Sequence, residues 1–248
     1  MSNAWNLSVQ SYCFREIKGA PALAKAVREC GLDRVELCGT HIDFQDTASH
    51  ASVLRDLAEG GVKVASAGVN GIDSRDGQAA RNHFAFLKAA GARDMSISVG
   101  MEGHEASFRL AERLADEYGV RLGLHNHGGY CWFGSIEALE YIFRHTSPRI
   151  GLCLDTAWAM QTGSSPLDFV AKFGPRIHAV HIKDFAFRRD GRWDDVVAGT
   201  GNLDLAALRD ALAGIGFDGD LIIEYEGHPE APVQAVKECA EAVRAVFA

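Results

Sequence analysis

The chain has 248 residues, 47% hydrophobic and 23% charged, the size and balance of an ordinary globular enzyme domain. No apolar run approaches the ~20 residues that span a bilayer, and no charged segment leads into an apolar one at the N-terminus, so neither a membrane span nor a signal peptide is expected. The formal charge of −8, with no compensating basic stripe, argues against nucleic acid as a partner.

Met1–Ala4 is given no structural weight. From there the chain repeats one unit: a short apolar run, a turn, and a stretch with apolar residues at three- and four-residue spacing. Strands are expected at Leu7–Phe14, Arg34–Gly39, Lys63–Val69, Asp94–Gly100, Arg121–Asn126, Ile150–Asp155, Ile177–Asp184 and Leu221–Glu226. Helices are expected at Ala22–Cys30, Ala51–Glu59, Gln78–Ala90, Glu105–Tyr118, Ser135–Arg144, Pro166–Phe173, Leu205–Gly214 and Val233–Val246. Glycines after the helices, such as Gly91 and Gly119, fit the left-handed position that ends a helix. Strict alternation of this kind predicts one (β/α)8 TIM barrel over residues 1–248. The rival is a doubly wound open sheet, but the first turn lacks the G-x-G-x-x-G of a dinucleotide-binding sheet.

The six cysteines form no C-x-x-C pair and read as free thiols in a reducing cytoplasm. His41, His50, His83, His104, His145 and His228 read as surface or loop residues, with His41 and His228 able to approach the barrel mouth. Arg188, Arg189 and Arg192 read as a solvated or substrate-facing turn.

Functional residues of such a barrel sit at the C-terminal ends of its strands. Four consecutive strands end in ligand types: His125-Asn126-His127, Asp155-Thr156, His181-Ile-Lys183-Asp184 and Glu224-Tyr-Glu226. Side chains alternate across a strand, so His125 and His127 share a face with Gly123, Asp155 with Cys153, His181 and Lys183 with Ala179, and Glu224 with Ile222. The opposite faces, including Leu122, Leu124, Leu152, Leu154, Val180 and Ile182, are aliphatic and suit packing under helices. His125, Asp155, His181 and Glu224 therefore point toward one axis, and their mixed nitrogen and oxygen donors suit Mn, Mg, Co or Zn.

Glu36 lies inside the apolar second strand, where a carboxylate is costly unless paired. It is expected to accept a substrate hydroxyl or anchor the site from behind; the plainer reading is a buried carboxylate satisfied by Lys183 or Ser11. Trp158 and Trp132 are candidates for an apolar wall against a sugar ring, and Asn126 for a substrate contact. The Ala198–Asp204 loop could cradle a hydroxyl or phosphate, although Asp204 is more simply the N-cap of the next helix.

These motifs resemble the xylose isomerase-like barrels, also called sugar phosphate isomerases/epimerases or AP endonuclease family 2-like proteins. The resemblance runs from Gln10-Ser-Tyr-Cys-Phe14 and Val35-Glu36-Leu37 through Leu154-Asp155-Thr156-Ala-Trp158, His181-Ile-Lys183-Asp184 and Gly199-Thr-Gly201 to Ile223-Glu224-Tyr225-Glu226-Gly227. It implies a metal held by the ends of strands five to eight. In ketose epimerases of the family these ligands are Glu, Asp, His and Glu, the two glutamates also serving as acid and base. Asp155, His181 and Glu224 match that pattern; the strand-five position is His125 instead.

The resemblance implies an isomerase or epimerase working on a sugar, sugar phosphate or keto-sugar through a metal-stabilised enediolate, with Glu224 as base, Lys183 beside the developing oxyanion and His127 as proton donor or relay. The His125 departure keeps open a dehydratase or lyase acting on a keto-sugar or keto-inositol. An endonuclease and a non-catalytic sugar-binding barrel are the remaining alternatives. Barrels of this kind often pair into dimers or tetramers.

Overall fold

The amphipathic periodicity is realised as a ring of strands under a shell of helices. The computed structural model describes residues 5–248, so Met1–Ala4 lie outside the described residues. The strands are β1 (Asn6–Gln10), β2 (Arg34–Leu37), β3 (Lys63–Ile72), β4 (Asp94–Val99), β5 (Arg121–His125), β6 (Ile150–Asp155) and β7 (Ile177–Ile182). A hairpin of β8 (Asp184–Phe187) and β9 (Trp193–Val196) precedes the last barrel strand, β10 (Asp220–Ile223). The helices are α1 (Ala20–Glu29), α2 (His50–Glu59), α3 (Gly77–Ala90), α4 (His104–Tyr118), α5 (Ile136–His145), α6 (Thr156–Gln161), α7 (Pro166–Phe173), α8 (Leu205–Gly214) and α9 (Val233–Phe247).

β1 to β7 pair in sequence, and β10 closes the ring between β7 and β1, with Leu7 opposite Leu221 and Val9 opposite Ile223. That closure rules out the doubly wound sheet. Leu122, Leu124, Leu152, Leu154 and Val180 are fully buried in the large cluster that also takes in helix residues such as Leu139, Val170 and Phe169. Each such side chain contributes roughly 1.5–3 kcal/mol of burial. Cys153, Ala179 and Ile222 form a separate buried cluster, as residues of the opposite, inward face should. Toward the N-terminal end the barrel carries the ion pairs Arg121–Asp94 and Arg34–Asp220, at 2.7 and 2.8 Å.

Three local features depart from the sequence expectation, all near the mouth. β1 stops at Gln10, whose side chain accepts from the Tyr12 N–H at 3.1 Å and turns Ser11–Phe14 into a 3-10 helix. Asp155 ends β6 and at once caps α6, accepting from the Trp158 N–H at 2.8 Å. β7 ends at Ile182, and Asp184 opens the β8–β9 hairpin instead of finishing the strand. The glycine expectation holds: Gly91 and Gly119 end α3 and α4 at φ 70° and 69°.

Candidate active site and metal centre

Each ligand candidate reaches the mouth because its strand delivers it there. His125 and Asp155 are the last residues of β5 and β6, His181 is the penultimate residue of β7, and Glu224 follows β10 directly. All four are buried, and one ligand atom from each lies within 4.8 Å of the others. His125 Nε2 stands 3.4 Å from Asp155 Oδ2 and 3.8 Å from Glu224 Oε2. His181 Nδ1 is 3.0 Å from Glu224 Oε2.

His125 Nε2 and Asp155 Oδ2 are buried and lack any hydrogen-bond partner. Leaving two polar atoms bare in the interior costs several kcal/mol, on the order of 1–3 for each. A divalent cation shared with Glu224 and His181 Nδ1 would satisfy both, so the residues present fit a metal. The donor set of two imidazoles and two carboxylates, without thiolate, suits Mn, Co or Zn and tolerates Mg.

Behind this set the neighbours are committed. Glu36, fully buried on β2, accepts from Gln10 Nε2 and Ser66 Oγ at 2.6 Å, from Ser96 Oγ at 2.9 Å, and meets His181 Nε2 at 2.9 Å. Burial works to raise its carboxyl, but the His181 charge and these hydrogen bonds outweigh it and hold Glu36 below the usual carboxylate range. The partners differ from the Lys183 or Ser11 considered from the sequence: three of them meet Oε1 and Ser66 alone meets Oε2, and Glu36 is not among the residues that line the cavity above the four donors. Asn126 is likewise occupied: its amide donates to the Asp155 carbonyl at 3.0 Å and its Oδ1 accepts the Asp155 N–H at 2.8 Å. Asn126 therefore splints β5 to β6 and is not among the residues that line that cavity.

Lys183 is 1% exposed, bonded to Glu226 and 3.7 Å from Glu224 Oε2 and 3.9 Å from Asp195 Oδ2. Burial disfavours its ammonium, but Glu224, Asp155, Glu226 and Asp195 prevail and raise it. Glu224 is in turn held well below the usual range: burial pushes up, and Lys183 and His181 pull down harder. Asp195, on β9, was not singled out in the sequence. Burial, aided by Glu226 and Glu224, pushes its carboxyl up to about 7 against the pull of Lys183, and its Oδ1 has no partner. Only the hairpin brings it here, and no strand-end pattern marks it.

A cavity of 680 Å³ opens above the cluster, lined by His125, His127, Trp158, Glu224 and Glu226 on one side. Gln10, Tyr12, Cys38, Gly39, Thr40, Gly68, Val69, Ser98, Cys131 and Phe133 complete it. His127 lies on Trp158 with centroids 4.2 Å apart, and burial followed by the His125 charge lowers its pKa, favouring neutral imidazole. Trp132 does not line the cavity; its indole donates to the Val99 carbonyl at 2.7 Å. The Ala198–Asp204 loop is not free to cradle a ligand. Asp184 takes the N–H groups of Gly199, Gly201, Asn202 and Leu203 at 2.8–2.9 Å, and Asp204 caps α8 as expected. His41 and His50, expected near the surface, are buried against the carbonyls of Ile17 and Phe44. Arg188 and Arg192 pair with Asp194 and Asp190 on the exposed hairpin. The six cysteines are all free thiols.

The class these features define is a closed eight-stranded parallel barrel with four metal-type donors at its mouth. The chain belongs to the xylose isomerase-like TIM barrel family, whose model matches residues 24–246. Among curated proteins it is similar to the rhizopine catabolism protein MocC of Rhizobium meliloti, 31% identical over 134 residues, covering 48% of this chain and 41% of that protein. It is also similar to the inosose dehydratase of Lacticaseibacillus casei, 27% identical over 187 residues, covering 59% and 62%. The matched stretch is thus less than two thirds of either relative's length. Among solved structures, the zinc-bound IolI protein superposes with a TM-score of 0.76 at 20% identity over 98% of both chains. An L-ribulose 3-epimerase gives 0.72 at 18% over 98% and 94%. These likenesses establish the fold. No helix of the described residues is long and apolar enough to cross a membrane.

Proposed function

We propose that this protein is an isomerase or epimerase that moves a proton at a carbon next to the carbonyl of a small polyhydroxylated compound. The observation that carries the reading is the pair of orphaned buried atoms, His125 Nε2 and Asp155 Oδ2, within a cluster completed by His181 and Glu224. These four residues would hold a divalent cation, which when bound supplies Lewis acidity toward a carbonyl and an adjacent hydroxyl.

The chain's own groups divide the remaining work. Glu224 is kept ionised by Lys183 and His181 and lines the cavity, so it is the base that takes the proton. Lys183 supplies positive charge within 3.7 Å of that carboxylate, near where oxyanion charge develops. Neutral His127, backed by Trp158, donates or relays a proton at the product carbon or oxygen. Glu36 and Asn126 position His181 and Asp155, and Trp158 and Phe133 keep water from the reacting face.

A dehydratase acting on a keto-sugar or keto-inositol is the second reading, favoured by one observation. The fifth strand presents the imidazole of His125, so Glu224 is the one glutamate in the cluster, where two-base epimerisation uses a pair. The sequence likeness to inosose dehydratase points the same way.

The test is NMR of the Mn- or Mg-loaded protein in D2O with ketoses, aldoses and keto-inositols. Deuterium entering a substrate carbon next to the carbonyl is expected, and the product separates isomer, epimer and dehydrated compound. Bound metal with no exchange on any of these compounds would sink the reading.

A further inference from the structure

We infer that the substrate of this site is electrically neutral: a polyhydroxylated carbonyl compound bearing neither phosphate nor carboxylate. The inference rests on the proton-transfer reading above and narrows its substrate class.

Among the described residues that line the cavity none is Lys or Arg, whereas Glu224 and Glu226 both face it. The cations nearby are already committed. Lys183 is buried behind that wall, bonded to Glu226 with Glu224 and Asp195 close by. Arg15, at the rim, donates to the carbonyls of Glu226 and Tyr12 at 2.7 and 3.3 Å and lies over the Tyr12 ring.

The 199–203 loop is spent as well. The glycine loop that could have offered a nest of N–H groups gives four of them to Asp184. Phosphate and carboxylate groups are ordinarily met by a guanidinium, an ammonium or such a nest.

Charge balance leads to the same place. A divalent cation would be offset by Asp155 and Glu224, with His125 and His181 as neutral ligands, and Lys183 is offset by Glu226. Asp195 and Glu36 add no positive charge. An anionic ligand would enter a partly desolvated pocket with like charge around it and nothing to neutralise its own. What the cavity offers instead is an apolar wall of Tyr12, Val69, Phe133 and Trp158 beside the Ser98 hydroxyl. That surface suits the C–H face and hydroxyl edge of a neutral polyol.

The experiment measures binding to the Mn-loaded protein by calorimetry and by the rise in Tm. Fructose is compared with fructose 6-phosphate, xylulose with xylulose 5-phosphate, and a keto-inositol with gluconate. At least one neutral compound is expected to bind, with its charged counterpart about tenfold weaker or more. A phosphate ester or gluconate binding as tightly as its neutral counterpart overturns the inference, and so does failure of every neutral compound to bind. Deuterium exchange in the same samples keeps the two claims apart. A neutral compound that binds without exchange supports the charge inference and sinks the proton-transfer reading. Exchange at a higher kcat/KM on a phosphate ester does the reverse.

Discussion

Glu36 Oε1 lies 2.9 Å from His181 Nε2, while the other ring nitrogen of His181 faces Glu224 at 3.0 Å. With a cation at the site, Nε2 would keep its proton and donate to Glu36 while Nδ1 serves as the ligand atom. Carboxylates behind a ligating histidine commonly set ring orientation and basicity, and losing one costs about 10–100-fold in metal affinity.

Glu36→Gln should show that loss. A glutamine keeps one acceptor oxygen but presents an N–H₂ in place of the other, either to Ser66 or to Gln10, Ser96 and His181. Mn or Zn affinity by calorimetry should fall about 10–100-fold. Unchanged affinity would mean that Glu36 does not orient His181.

Asp155→Ala and His125→Ala test the metal centre without reference to activity. Ligand bound only to the native state raises stability by about 2.7 kcal/mol at a hundredfold excess over Kd. The unsubstituted protein should therefore gain Tm on adding Mn or Zn and lose it with a chelator. Both variants should lack most of that gain. A metal response retained in both would relocate the site.

Glu224→Gln separates binding from chemistry. Glutamine still offers a carbonyl oxygen to a metal, but it cannot take a proton. Substrate deuterium exchange should drop by about 10²–10⁴-fold, the usual worth of a positioned base, while metal binding is largely kept. Full exchange in this variant would remove Glu224 as the base.

Much of this architecture was legible because it rests on periodicity. Alternation along β5, β6 and β7 placed His125, Asp155 and His181 on one face, and the separate Cys153, Ala179 and Ile222 cluster is that face seen from inside the barrel. What the sequence hid depends on contacts between distant segments. The four donors around Glu36 come from β1, β3, β4 and β7, and no local pattern joins Gln10, Ser66, Ser96 and His181. Asp195 reaches Lys183 only because the chain doubles back in a hairpin after β7, where the apolar run had looked like one continuous strand.

Asp184→Ala should be among the more damaging changes outside the cluster. One buried carboxylate holds four backbone N–H groups of the 199–203 loop, and alanine leaves three of them without a partner, Asn202 keeping the Phe185 carbonyl at 3.1 Å. Hydrogen bonds to charged groups contribute about 1.5–3 kcal/mol each, so a loss of about 3 kcal/mol or more is expected even if water recovers some of them. Urea unfolding would read it, and a loss below about 1 kcal/mol would show that the loop holds itself.

His178 sets a pH signature of stability independent of the active site. It sits near the start of β7 with Nδ1 3.0 Å from the Leu122 carbonyl. Burial first, and the Arg121 charge next, bring it down to about 4, against the pull of that carbonyl and of Asp94. An unfolded histidine titrates near 6.5. Between these values the unfolded chain binds a proton that the folded chain refuses, so stability is full above about 6.5 and falls as pH drops toward 4. The fall contributed by this group is up to about 3 kcal/mol. His178→Asn keeps a donor for Leu122 but cannot charge. Its stability deficit relative to the unsubstituted protein should narrow between pH 6.5 and 4. A deficit constant across that range, measured by urea unfolding at each pH, would show that His178 titrates alike in both states.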